Sequence, residues 1–249
     1  MLKLEALSIK FLFLAFVLSS FVALADGKTI ANSIKVPDGY IREEFPSTSY
    51  SNWIRNLPLK ERHIILDHRG KRLGVYSFYN VFAVVEMPLL FDSDLEQCAD
   101  YAMRFWAEYH KDNNKLDSLY LFDYNGNKRN FSSCGKTYVE FLKRAFSYSN
   151  SYSLKEGCKE VEIKNLKPGD MIVQNESGSI GHVSIILDVC ASGQGEKLYL
   201  IGYSFMPAQE FHIEKADDTK GIGGWFKIEE YFKYLSEYLP LGEPVLRRF

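Results

Sequence analysis

Between Leu166 and Phe205 the chain reads LKPGDMIVQNESGSIGHVSIILDVCASGQGEKLYLIGYSF, which is three apolar runs with turn-forming residues between them. Lys167-Pro168-Gly169-Asp170 suits a type II turn, with proline fixing the first central residue and glycine supplying the positive φ needed at the second. MIVQ then predicts a strand, HVSIILDV a second, and CASGQGEK closes a hairpin to LYLIGYSF. A block of antiparallel strands this close together leaves helices to other parts of the chain.

Those helices lie before and after it. FDSDLEQCADYAMRFWAEYH has Ser93 three residues before Glu96, the capping-box spacing, and carries Leu95, Ala99, Ala102, Trp106 and Tyr109 at helical intervals. A helix beginning near Asp94 is expected. A second covers Lys136 to Tyr148, where Tyr138, Phe141, Leu142, Ala145 and Phe146 share a face, and IEEYFKYLSEY predicts a third near the end. RHIILDHRGKRLGVYSF predicts a hairpin around Asp67 to Gly70, followed by a strand in NVFAVVEM. LDSLYLFDYNGNKRNF offers a strand with an Asn125-Gly126 turn, and QEFHI adds one more strand. Residues 26–60 mix proline, glycine and aromatics and are expected to wrap the domain as an arm in which no regular structure is read, with 61–249 forming a single domain. Helices first and antiparallel strands later make an α+β fold.

The amino-terminus carries Lys3 and Lys10, the apolar run from Phe11 to Val22, and the small residues Ala23 and Ala25 before Asp26. That is the pattern of a secretory signal peptide over residues 1–25, too short in its apolar part for a membrane helix of about 20 residues. The expected product is exported, to the periplasm or cell surface, without a transmembrane anchor. Removing residues 1–25 takes away two lysines and one glutamate, so the formal charge moves from −2 to −3. A net negative chain is a poor partner for nucleic acid, whose phosphates need clustered positive charge.

All four cysteines, Cys98, Cys134, Cys158 and Cys190, lie in the exported part, where disulfides are permitted and three full pairings exist. Cys134 and Cys158 flank the second expected helix and are the pair expected to bridge, leaving Cys98 free and Cys190 buried. No C-x-x-C motif is present, which argues against a thiol-disulfide oxidoreductase. His182, at the head of an apolar strand and after Gly181, can act as a general base if a nucleophile stands opposite it, or can be a hydrogen-bonded residue at a strand end. His63, His68, His110 and His212 have no metal-ligand spacing, so neither a metal nor an organic cofactor is expected. Asp170, in its Pro-Gly-Asp turn, suits bonding to turn amides better than catalysis.

Two resemblances add to this. LKPGDMIV…GHVSIIL is similar to the second half of the papain-like, NlpC-type cell-wall peptidases and amidases. That resemblance implies a papain-like antiparallel sheet packed by helices, a catalytic histidine at the head of a strand, an upstream cysteine nucleophile at a helix start and a polar residue orienting the ring. A longer one, to the bacterial envelope family called domain of unknown function 4846, is carried by VPDGYIRE, SNWIRNLPLK, EQCADYAMRFWAEY, FSYSNSYSLK, PGDMIVQ…GHVSIILDV and SFMPAQEFHI. It implies no activity.

The nucleophile has two candidates. Cys98 lies in the matching QCAD stretch, whereas Cys134 stands 48 residues before His182, closer to the NlpC-type separation than the 84 residues from Cys98. Against Cys98 stands its expected place a turn inside a helix, where its N–H is already bonded and the thiol is a small buried hydrophobe. A hairpin centred on Gly193 and Gln194 puts position 182 opposite 205, so Ser204 is a candidate to orient the ring, with Gln209 beyond the proline break as the other. The function expected is an exported thiol hydrolase acting on an amide bond, with Cys98 and His182 as its dyad. Peptidoglycan stem peptides are the substrate class that the resemblance implies. The alternative is a non-catalytic envelope binding module of the same fold, using an aromatic cleft for glycan or peptide.

Overall fold

The computed structural model describes residues 27–73 and 79–249. The expected signal peptide, and part of the second arm of the hairpin around Asp67 to Gly70, lie outside these residues. In chain order the described elements are α1 (Ile30–Ser33), β1 (Tyr40–Arg42), α2 (Tyr50–Arg55), β2 (Val81–Val84), α3 (Cys98–Asp112), β3 (Tyr120–Phe122), β4 (Lys128–Asn130), α4 (Tyr138–Tyr148), α5 (Ser151–Gly157), β5 (Lys159–Glu160), β6 (Met171–Gln174), β7 (His182–Ser192), β8 (Lys197–Tyr203), β9 (His212–Glu214), β10 (Gly221–Ile222), β11 (Trp225–Phe226), α6 (Ile228–Tyr238) and β12 (Val245–Arg248).

Ten of the described strands form one sheet, in the order β10-β11-β8-β7-β6-β12-β5, with β1 added beside β7, β9 beside β8, and β2 beside β9. Its pairings are antiparallel, as tight connections require. β3 and β4 make a separate hairpin. The chain is thus a single α+β domain whose large sheet is packed by helices. Alternation along β7 sorts the two faces. Val183, Ile185, Leu187 and Cys190 join the larger core with α2 to α5, whereas Ile186 and Val189 join a smaller core with Ile228, Tyr231 and Leu235 of α6. Each fully buried Leu, Ile or Phe in these layers contributes on the order of 1.5–3 kcal/mol.

The β7–β8 hairpin has an irregularity between Ile186 and Asp188. On its open side Ile185 stands opposite Gly202, and the same register carried outward sets position 182 against 205, as the turn arithmetic requires. The Pro-Gly-Asp turn also forms as expected: Gly169 has φ +93° and the Asp170 N–H donates to the Lys167 carbonyl at 3.1 Å. Asp170 is structural, its carboxylate accepting from Lys167 N–H at 2.9 Å and from Arg248 Nε at 2.6 Å.

Three expectations need correction. α3 starts at Cys98, not near Asp94. The side chain of Asp100 takes the capping role, accepting the Gln97 N–H at 2.8 Å. Glu96 is drawn instead to Arg104 and to the Leu90 N–H. The arm is also more ordered than its composition suggests, holding α1, β1 and α2, because Arg42 and Arg55 both pair with the buried Asp188 of β7. The third correction is the Cys134–Cys158 bridge, since all four cysteines are free. Cys158 closes α5 and is buried in the core, while Cys134 ends a half-exposed turn after β4. Two features had no visible signal: the short β10–β11 hairpin, and β12, whose Val-Leu-Arg-Arg closes the sheet against β6 and β5.

Candidate functional site

The head of β7 serves two cavities. Gly181 is required there because a Cβ would come within 2.2 Å of the Gln174 carbonyl oxygen and of Ser151 Oγ. The chain after it enters the sheet with His182 and Val183 directed to opposite faces, as strand alternation demands.

On the side of the larger core, a cavity of about 450 Å³ is bordered by Cys98, Asp100, Asn150, Gly181, Phe205 and Met206. Cys98 is the first residue of α3, so its N–H belongs to the unpaired first turn rather than to the helix interior. The objection that Cys98 lies inside its helix therefore falls. Burial nevertheless pushes its thiol up to about 11, against the pull of the Val183 N–H; the charge of Asp100 pushes it further up, and the N–H groups of Ala99 and Cys98 pull it down. Burial also holds the Asp100 carboxyl well above the ordinary carboxylate range. Its Oδ1 has no hydrogen-bond partner among the described residues.

On the α6 side, a second cavity of about 560 Å³ is bordered by His182, Tyr203, Phe205, Lys220, Tyr234 and Tyr238. His182 is 1% exposed, and its Nε2 lies 3.0 Å from Ser184 Oγ, which lies 2.7 Å from the Tyr231 hydroxyl. Strand alternation places His182 and Ser184 on one face, and α6 brings Tyr231 down on them. The imidazole stands edge-on to Tyr203, with ring centres 5.1 Å apart. Burial, and secondarily the charge of His212, lowers its pKa to about 3, so the ring is neutral at physiological pH. His182 Nδ1 has no partner among the described residues.

Behind this ring, Tyr203 also meets His212, with centres 4.4 Å apart, and donates its hydroxyl to Glu214 at 3.1 Å. His212 Nε2 is 3.3 Å from Glu214 Oε2 but without the angle of a hydrogen bond. Three tyrosines of α6, Tyr231, Tyr234 and Tyr238, lie at i, i+3 and i+7, their rings stepping 6.0 Å and 5.3 Å apart with tilts of 38° and 32°.

The expected site residues are therefore not one constellation. Cys98 and His182 lie on opposite faces of the sheet and border different cavities, so no thiol–imidazole dyad is assembled. Ser204 and Gln209 do not meet the ring either. Ser204 Oγ donates to the Gln209 carbonyl at 2.8 Å, and Gln209 Nε2 donates to the Tyr79 hydroxyl at 3.0 Å. Ser184 is the residue that engages the imidazole. Cys134 borders a third cavity, beside the β3–β4 hairpin, whose lining includes neither Cys98 nor His182. Among the described residues no cluster of histidine, cysteine and carboxylate side chains has the arrangement to hold a metal. Ser184 and the α6 tyrosines were missed, although two plain signals marked them. Ser184 sits two residues after His182 in a strand, and the tyrosines recur at helical spacing.

Compared with known proteins, residues 30–136 and 124–238 match the family described as "Domain of unknown function (4846)". No curated protein and no solved structure matches the chain.

Proposed function

This chain belongs to the domain of unknown function 4846 family, and we propose that it works as an exported envelope binding domain whose ligand site is the tyrosine-lined cavity under α6. One observation carries this: the sheet stands between the Cys98 thiol and the His182 imidazole. A hydrolytic thiol needs a base within hydrogen-bond reach, and this thiol is held near 11 by burial with no imidazole beside it. The α6 cavity has instead what ligand sites share, namely apolar aromatic walls and a few converging polar groups. Peptidoglycan is the envelope polymer proposed as its source of ligand.

A second reading, the papain-like thiol hydrolase, is favoured by one feature. Cys98 opens α3, where backbone N–H groups gather around its sulfur as they would around an oxyanion. Cosedimentation with peptidoglycan sacculi separates the two. Binding predicts that the protein pellets with sacculi, releases no soluble fragments, and pellets equally as Cys98→Ser. Release of stem-peptide fragments that stops in Cys98→Ser overturns the binding reading in favour of the hydrolase.

A further inference from the structure

We propose that the α6 cavity takes a neutral sugar ring, stacked on Tyr234 and Tyr238 with a hydroxyl bridging His182 Nδ1 and the Tyr231 hydroxyl. This rests on reading that cavity as the ligand site and adds the class of ligand.

The first ground is the direction of the hydrogen bonds. His182, Ser184 and Tyr231 form a short chain of three groups with two free ends. If His182 carries its proton on Nε2, the chain donates from His182 to Ser184 to Tyr231, leaving Nδ1 as an acceptor and the Tyr231 O–H as a donor. If the proton is on Nδ1, every bond reverses, and the ends become an Nδ1–H donor and a Tyr231 oxygen acceptor. In both states one end gives and the other takes. A ligand hydroxyl, which does both, satisfies either state, whereas a carboxylate can only accept and an ammonium can only donate.

The second ground is charge. Lys220, the cation at the cavity, is paired with Asp217 and lies 5.1 Å over the Tyr234 ring, so its charge is already engaged. Glu214, behind the tyrosines, accepts from Asn80 N–H and from the Tyr203 hydroxyl. With a neutral imidazole at its base, the described residues bordering the cavity leave no unmatched charge for an ionic ligand.

The third ground is shape. Tyr238 is 70% exposed at the mouth, and a tyrosine face left open to water suits a ring that is apolar on its C–H face and polar at its rim. A sugar ring has both properties, and the stepped tyrosines provide more than one such platform.

The test is a ¹H–¹⁵N NMR titration of the protein with three probes at millimolar concentration: a β-1,4-linked N-acetylglucosamine tetramer, a tetramer of galacturonic acid and trialanine. The expected result is that only the neutral tetramer shifts the amides of α6 and of residues 203–205, and that Tyr234→Ala and Tyr238→Ala each weaken it about tenfold. Cys98→Ser should leave that affinity unchanged. If the uronate or trialanine shifts those amides and the neutral tetramer does not, the cavity remains the site and the sugar assignment is wrong. Should none of the three shift them, the cavity reading itself fails.

Discussion

Two of the buried polar side chains of β7, His182 and Asp188, stand six residues apart and are treated in opposite ways. Asp188 is saturated: it accepts from Arg42 Nε, from Arg55 Nε at 2.9 Å and Nη2, and from the Val189 N–H at 2.9 Å. Arg42 goes on to donate to the carbonyls of Ala31 and Ile34, and Arg55 to that of Glu43, so the acid fastens the amino-terminal arm to the sheet. His182 is half satisfied, with one nitrogen on Ser184 and the other without a partner among the described residues. A saturated buried network serves the fold, because each removed partner leaves another stranded. An unsaturated one beside a cavity is a standing cost that a ligand can relieve.

The largest effect should come from the saturated end. Asp188→Ala leaves the buried Arg55 guanidinium without its carboxylate, and breaking a buried pair in this way costs about 3–5 kcal/mol. Urea unfolding should report that loss, and protease should then cut within residues 27–60 before the rest. A loss below about 1 kcal/mol would mean that the arm is held by its apolar contacts, and the contrast along β7 would collapse.

The unsaturated end should show itself through pH. Burial depresses the His182 pKa from its ordinary 6.5 to about 3, so the unfolded chain binds a proton more readily than the folded one between those values. The neutral ring's contribution is therefore fully present above about pH 6.5 and is lost as pH falls toward 3, by up to about 1.4 kcal/mol per pH unit. His182→Phe removes this term and leaves the carboxylates to titrate as before. Between pH 7 and pH 4.5 the unfolding free energy from urea titration should fall by about 2–3 kcal/mol more for the wild type than for His182→Phe. Parallel curves would show that the imidazole protonates freely in the folded state.

How much of this was readable beforehand depended on whether a signal was periodic or positional. α6 runs over the same eleven residues that its spacing predicted, and the β6–β7–β8 meander follows from Pro-Gly-Asp and the Gly193-Gln194 turn. His182 does head its strand, as expected. Its face was equally readable, because Val183 and Ile185 must enter the core beneath α3 and alternation then sends His182 the other way. The papain-like resemblance implied a cysteine partner for the ring, and the alternation turns the ring toward α6 instead. The start of α3 was harder to see. Ser93 and Glu96 have the spacing of a cap, and only the tertiary pull of Arg104 on Glu96 shows why Asp100 caps the helix instead. β12 was beyond reach, since two of its four residues are arginines whose partners, Asp170, Glu160 and the Lys155 carbonyl, come from distant parts of the chain.

The smallest expected effect is the sharpest on function. If the sheet separates thiol from imidazole, the alkylation rate of Cys98 should not depend on His182. Iodoacetamide reacts with the thiolate, and a thiol held near pKa 11 by burial has very little of it at pH 7, so the reaction should be slow and should accelerate about tenfold per pH unit up to pH 9 or so. A paired imidazole would instead produce a fast reaction with a plateau below neutrality. His182→Phe should change the rate less than about twofold at pH 8, where both proteins remain folded by the pH argument above. The rate can be read by mass spectrometry of the peptide containing Gln97-Cys98-Ala99, with Cys134, a free thiol that borders neither cavity at the head of β7, as the internal comparison. A plateau near pH 6, lost in His182→Phe, would mean that the ring reaches Cys98 in solution, and the two faces of the sheet would then have to be treated as one site.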